Sequence, residues 1–169
     1  MHVSRIVAAL GVVIGVIGLF MKSLTTDGEG LLGDLAQANP AFPDGIPTIW
    51  GGLDTWAQVV VVIAIVVVVA LVLRPPTAAP FDRMGAMVVA VIGLGLTIYA
   101  IVKFMEAGDS ADTLQAGFAE AAAGGALPEA FSVSTGVGFF VLMAGTVLVL
   151  IGGLLAMRGM GGDRDGTAV

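Results

Sequence analysis

At 169 residues, with 57% hydrophobic and 12% charged content, the chain is far more apolar than a soluble domain of its length could bury. Lipid must therefore form part of its surroundings. The formal charge of −6 argues against nucleic acid as a partner, and the absence of cysteine removes disulfides, lipoprotein anchoring and thiolate metal sites.

The first apolar run, 6–21, follows Arg5 and is short for a span. Ala36-Gln37-Ala38 has the form of a signal-peptidase site but lies about 16 residues beyond the run, too far for a usual cut, so the run is read as retained. It carries Ala8, Gly11, Gly15 and Gly18 three or four residues apart on one helical face. Loop 22–55 follows. In "GEGLLGDLAQANP", Leu31, Leu32 and Leu35 form one apolar face of a short helix ended by Asn39-Pro40. Pro40, Pro43 and Pro47 stiffen the rest, and Trp50 and Trp56 fall where an aromatic belt would anchor an outer interface.

The second run, 56–73, is rich in valine and lacks glycine. It covers about 27 Å at about 1.5 Å per residue, close to the hydrocarbon thickness. Valine is a mediocre helix former in water, but in hydrocarbon the backbone must satisfy itself internally, so a helix forms regardless. Without glycine and clothed in valine and isoleucine, this span is expected at the periphery, facing lipid or a flat partner surface. The inner connector 74–83, "RPPTAAPFDR", is short, proline-rich and expected to be ordered.

The third run, 84–102, repeats the small-residue pattern with Ala86, Ala90, Gly93 and Thr97. In loop 103–134, Asp112 is expected to cap a short helix carrying Leu114 and Phe118 and ended by Gly124-Gly125. The fourth run, 135–157, has Gly138, Gly145 and Gly152 seven apart. A polar tail, 159–169, closes the chain. The fold class is therefore an all-α integral membrane four-helix bundle over 1–158 with short extracytoplasmic helices.

Arg5, Arg74, Arg83, Arg158 and Arg164, five of the seven cations, lie on one side of this scheme, and only Lys22 and Lys103 lie on the other. That bias puts both termini in the cytoplasm and the protein in the cell inner (plasma) membrane. Ten of the 13 acids, Asp27, Glu29, Asp34, Asp44, Asp54, Glu106, Asp109, Asp112, Glu120 and Glu129, lie outside. Each half reads arginine, span, lysine, acidic loop, proline, span, arginine, and "VIGVIGLFMK" resembles "VIGLGLTIYAIVK". A period of about 78 residues suits a duplicated hairpin. Charge bias in any four-span protein gives the same pattern.

Ionisable groups inside a bilayer usually mark transport or proton paths, and the four runs contain none. Their polar groups are Gln58, Thr97, Tyr99, Thr135 and Thr146. His2, the one histidine, reads as a solvated end residue rather than a haem ligand. Asp27, Glu29 and Asp34, or Asp109 and Asp112, are candidate ligands for a hard cation, but calcium-loop spacing is absent and a solvated acidic face is the simpler reading. No catalytic, cofactor-binding or metal residue is assigned, and the chain is read as non-enzymatic.

What the runs do carry is packing chemistry. Lipid offers no hydrophobic drive between helices, so small residues matter because they let backbones approach. The three stripes serve the chain's own helices, and any spare stripe would dock another integral membrane subunit.

With valine-, alanine- and glycine-rich spans, acidic outer loops and no cysteine, the chain resembles the small accessory subunits of the actinobacterial cytochrome bcc–aa3 respiratory supercomplex. The resemblance covers overall architecture. It implies helical proteins without redox centres that associate with the cytochrome bcc and aa3 oxidase subunits, stabilising or assembling them near the site that receives cytochrome c. A regulatory or ligand-binding partner of a membrane transporter, or a free-standing envelope protein, is the competing expectation.

Overall fold

The computed structural model describes residues 1–38, 45–125, 127 and 130–159. Five helices and two short strands follow in the order α1 (Val3–Leu19), β1 (Leu24–Thr26), α2 (Glu29–Ala38), α3 (Thr55–Leu73), α4 (Arg83–Ala123), β2 (Val133–Thr135) and α5 (Gly138–Gly159). Three of them, Thr55–Leu73, Arg83–Ala123 and Gly138–Arg158, contain stretches long and apolar enough to cross a membrane. The shorter apolar helix α1 packs extensively against α5, and α5 in turn against α4. By contrast α3 touches α1 and α4 lightly, through the line Val61, Ala64, Val68 and Val72. The remaining α3 valines, Val59, Val60, Val62, Val66 and Val69 among them, stay exposed.

Local capping sets the helix starts. Asp54 accepts the Ala57 N–H at 2.8 Å and Asp82 accepts the Gly85 N–H at 3.0 Å, each quenching a free donor of the first turn. His2 does the same for α1, its Nδ1 accepting from Ser4 N at 3.3 Å, while its own N–H donates to Thr77 O at 2.9 Å. It is a half-buried cap and not the solvated end residue expected.

Three sequence expectations need correction. The third apolar run does not end in a separate loop helix. It continues through Gly108 and Asp112 as one 41-residue helix, so Asp112 lies in the helix interior and caps nothing. Within this stretch Ser110 Oγ donates to Glu106 O and Thr113 Oγ to Asp109 O, each bonding one turn back within the helix. Ala107, Ala111, Leu114 and Phe118 keep one apolar face across the junction. The helix does end where the glycines lie: Gly124 N–H bonds Glu120 O, and Gly125 adopts a left-handed φ of 74° that glycine alone takes freely.

The second correction concerns strand. The chain is not wholly helical, because β1 and β2 pair antiparallel, Leu24 opposite Thr135 and Thr26 opposite Val133. Close packing of α1 on α5 brings the two segments together, and their β-branched residues suit an extended ribbon. Thr135, placed in the fourth span by hydropathy, therefore belongs to β2, and α5 begins at Gly138.

Third, the two segments read above as short amphipathic helices under a solvated acidic face also build a core together. Leu24, Leu32, Ala111, Phe118, Leu127 and Val133 form a core of their own, with Ile46 and Phe131 packed against it. Phe118 meets Phe131 edge to face at 5.7 Å, and Gln115 accepts the Val133 N–H at 3.3 Å, tying the ribbon to α4. The turn at Asn39-Pro40, Pro43, Asp44, Glu129 and the tail 160–169 lie outside the described residues, as do the side chains of Leu31, Asp34 and Leu35.

At the opposite end, Arg5 is 4% exposed and, among the described residues, its side chain donates to backbone carbonyls alone. Its Nη1 reaches Leu71 O (3.0 Å), Val72 O (2.9 Å) and Arg74 O (2.7 Å), its Nε reaches Ala79 O (2.9 Å), and its Nη2 reaches Pro80 O (3.4 Å). The guanidinium also lies 5.0 Å from the Phe81 ring centroid. The last carbonyls of a helix need partners, and Pro75 and Pro76 have no N–H to close the end of α3 in the usual way. Arg5 supplies the missing donors, with its charge at the negative end of the helix dipole. Replacing Arg5 with Met leaves the stem but strands these carbonyls, so the unfolding free energy should drop by about 2 kcal/mol or more, read as a lower melting temperature in detergent.

Candidate functional site

The small-residue stripes turn inward. On α1, a Cβ at Gly11 would lie 2.6 Å from Gly145 O and Val149 N, and one at Gly18 would lie 2.5 Å from Leu142 N. Ala8 is fully buried, and its Cβ faces Gly152, where a Cβ would come within 2.8 Å. Gly138 packs on Met21 and Ile49, and Gly145 on the Gly15 backbone. On α4, a Cβ at Gly93 would lie 2.5 Å from Leu150 N, Ala86 and Ala90 are buried, and Thr97 donates to Gly93 O at 2.7 Å. Gly153, which the seven-residue spacing passes over, packs on the Ala90 backbone, where a Cβ would lie 2.6 Å from Ala90 N. Its signal was the pair Gly152-Gly153, which serves two adjacent faces of one helix. Among these glycines Gly15 differs, because a Cβ there meets only Gly145 Cα, at 4.0 Å.

The reason lies across from Gly15. A cavity of ≈ 50 Å³ runs between α1, α3, α4 and α5, walled by Gly15, Val68, Leu96, Ala100 and Leu142 among others. Valines on α3 hold it off where glycine elsewhere would let it close. The lining is almost wholly apolar. Of its polar residues, Thr146 donates to Met143 O at 3.0 Å and so is engaged. Tyr99 Oη is buried and has no hydrogen-bond partner among the described residues.

Lys103, one turn beyond Tyr99, also lines the cavity, with its Nζ 5.8 Å from the Tyr99 ring centroid. It donates to Glu106 Oε2 at 2.6 Å, a contact that holds its pKa above the ordinary lysine value. Above this pair lies a second, more polar groove of ≈ 230 Å³, bounded by Ser23, Gly52, Lys103, Glu106 and Ser110 and sharing Ile49, Leu53 and Lys103 with the cavity below. The hydropathy pattern gave no sign of this pairing of an apolar pocket with a charged mouth, since it arises from four separate segments.

The aromatic anchors differ. Trp50 is half-buried and stands 6.2 Å from the Phe20 ring, whereas Trp56, on the first turn of α3, is 81% exposed. Of the candidate cation ligands, Asp27 accepts from Ser132 Oγ at 2.6 Å, Glu29 pairs with Lys22, and Asp109 and Asp112 lie exposed along α4. Among the described residues no three His, Asp or Glu side chains converge on one point.

The glycine geometry gives a direct expectation. Gly11→Ala and Gly145→Ala push a methyl into opposing backbone and should each cost about 1–3 kcal/mol, whereas Gly15→Ala grows into open space and should leave the melting temperature unchanged or raised. Equal losses at Gly11 and Gly15 would contradict the packing described. Comparison with protein-family models, with curated proteins and with solved structures gives no match for this chain.

Proposed function

We propose that the chain is a four-span integral membrane protein with both termini in the cytoplasm, in which α1 and α3 form one hairpin and α4 and α5 a second. Exposed apolar side chains support this. On α1, Val3, Ile6, Leu10, Val13, Ile17 and Phe20 form a stripe away from the glycine face, and on α4 Met84, Met87, Val91, Leu94, Ile98 and Val102 do likewise. These stripes are about 26–29 Å long at about 1.5 Å per residue, the thickness of a hydrocarbon layer.

Its role in this reading is that of a non-catalytic accessory subunit, packed onto a larger membrane complex and helping to assemble or stabilise it. The bcc–aa3 type of respiratory supercomplex is the proposed host. The observation that carries the reading is the single helix α4, which runs unbroken out of the apolar zone into the outer core. It holds Glu106, Asp109, Asp112 and Glu120 exposed on the side away from that core. A rigid, acidic outer unit at a fixed height suits a docking or spacing part, and a cationic electron carrier is attracted to such a surface. The acidic ridge also favours a place on the outer side of the complex.

Two measurements test this. Cysteine introduced at the exposed positions Ala119 and Ala78 should differ in intact spheroplasts: Ala119→Cys should react with an impermeant thiol reagent and Ala78→Cys should not, and the reverse pattern would invert the topology. Tagged protein purified in mild detergent should carry haem-containing oxidase subunits at a fixed ratio. Recovery with a permease instead, or alone, would replace the supercomplex role with the transporter-partner or free-standing reading.

A further inference from the structure

We infer that the cavity between α1, α3, α4 and α5 takes an acyl chain of one zwitterionic membrane phospholipid, whose ester carbonyl accepts a hydrogen bond from Tyr99 Oη and whose head group lies at the Lys103 and Glu106 pair. The inference rests on the membrane reading of the helices, since it needs lipid at the wall of α3.

Three observations converge. The cavity has room for more than one water molecule, but a buried water needs two to four polar partners, and among the described residues the Tyr99 hydroxyl is the one buried side-chain polar atom left without a hydrogen bond. An occupant must therefore be apolar along most of its length and bear a single acceptor. The cavity also extends along α4 from Leu96 to Lys103, about 10 Å at about 1.5 Å per residue, and at its Lys103 end it shares Ile49, Leu53 and Lys103 with the polar groove. Apolar depth below a polar mouth is the shape of an amphiphile and not of a soluble ligand.

The third observation selects the head group. Lys103 Nζ and Glu106 Oε2 sit 2.6 Å apart at the mouth, so cation and anion are offered together. A head carrying both a phosphate and an ammonium answers both charges. An anionic head without an ammonium would set its phosphate against the Glu106 carboxylate, and diacylglycerol would answer neither. Phosphatidylethanolamine is accordingly the probe.

Full-length protein, delipidated in mild detergent, would be titrated with phosphatidylethanolamine and the bound lipid counted by native mass spectrometry. The expected result is one lipid per chain, with phosphatidylglycerol and diacylglycerol each binding at least about threefold more weakly. Tyr99→Phe removes only the hydroxyl and should weaken binding roughly three- to tenfold. Gly15→Val and Ala64→Val fill the cavity from opposite walls and should reduce binding more than about tenfold, with melting temperatures at or near that of the parent chain. Two filling variants keep the test intact if one of them misfolds. Absence of retained lipid, unchanged binding in a folded filling variant, or equal binding of diacylglycerol would each overturn the inference. Release of the chain from membranes by carbonate without detergent is a separate result that would overturn the membrane reading itself.

Discussion

Three helices are long and apolar enough to cross a membrane, where association rests on close contact and gains little from hydrophobicity, and backbone approach at Gly11, Gly145, Gly152 and Gly153 supplies that contact. Because α5 has glycine on two adjacent faces, it can sit against α1 and α4 at once, and it becomes the central helix. Everything else is arranged around that choice. With no glycine, α3 meets the others through valine and alanine and stands off, which leaves a cavity on one side of a tightly closed seam. Tight and loose contact thus come from the same rule applied to different residues.

The two ends of the molecule are held by different means. On the side of the termini, a buried cation with no carboxylate partner among the described residues gathers five carbonyls from α3 and the proline-rich connector. A charge is costly to bury, but here each donor bond replaces a bond to water, and the carbonyls it meets would otherwise be unsatisfied. On the other side, an apolar core built from the ribbon, α2 and the end of α4 does the holding, as in a small soluble domain. The long helix joins the two regimes without a hinge.

Much of this was legible in the residues, and the gaps have physical causes. Apolar runs fixed the helices because a stretch such as 56–73 has no polar alternative in hydrocarbon. The glycine spacing marked faces, though not which face met which neighbour, and it passed over Gly153 because a seven-residue count follows one seam only. Asp112 misled because its setting, with Gly108, Ser110 and Thr113 nearby, is the same local chemistry that starts helices, and only the tertiary face of Ala107, Ala111 and Phe118 decides otherwise. Arg5 was read for its charge alone. Its partners lie 66 to 75 residues away in sequence, and no local pattern contains them. The cavity mouth at Lys103 is of the same kind, a meeting of distant segments.

The position of Arg5 also has a consequence for the order in which the protein is made. Its guanidinium must wait for carbonyls that extend as far as Pro80, so α1 leaves the ribosome long before its own latch exists. Under the membrane reading, that arginine has two successive tasks. As a newly exposed charge it biases which end of α1 stays on the cytoplasmic side; once α3 and the connector have followed, it turns inward and is spent on their backbone. A side chain that first directs insertion and then disappears into the fold makes the early topology hard to reverse, because flipping α1 would require drawing a satisfied cation back out of its cage of oxygens.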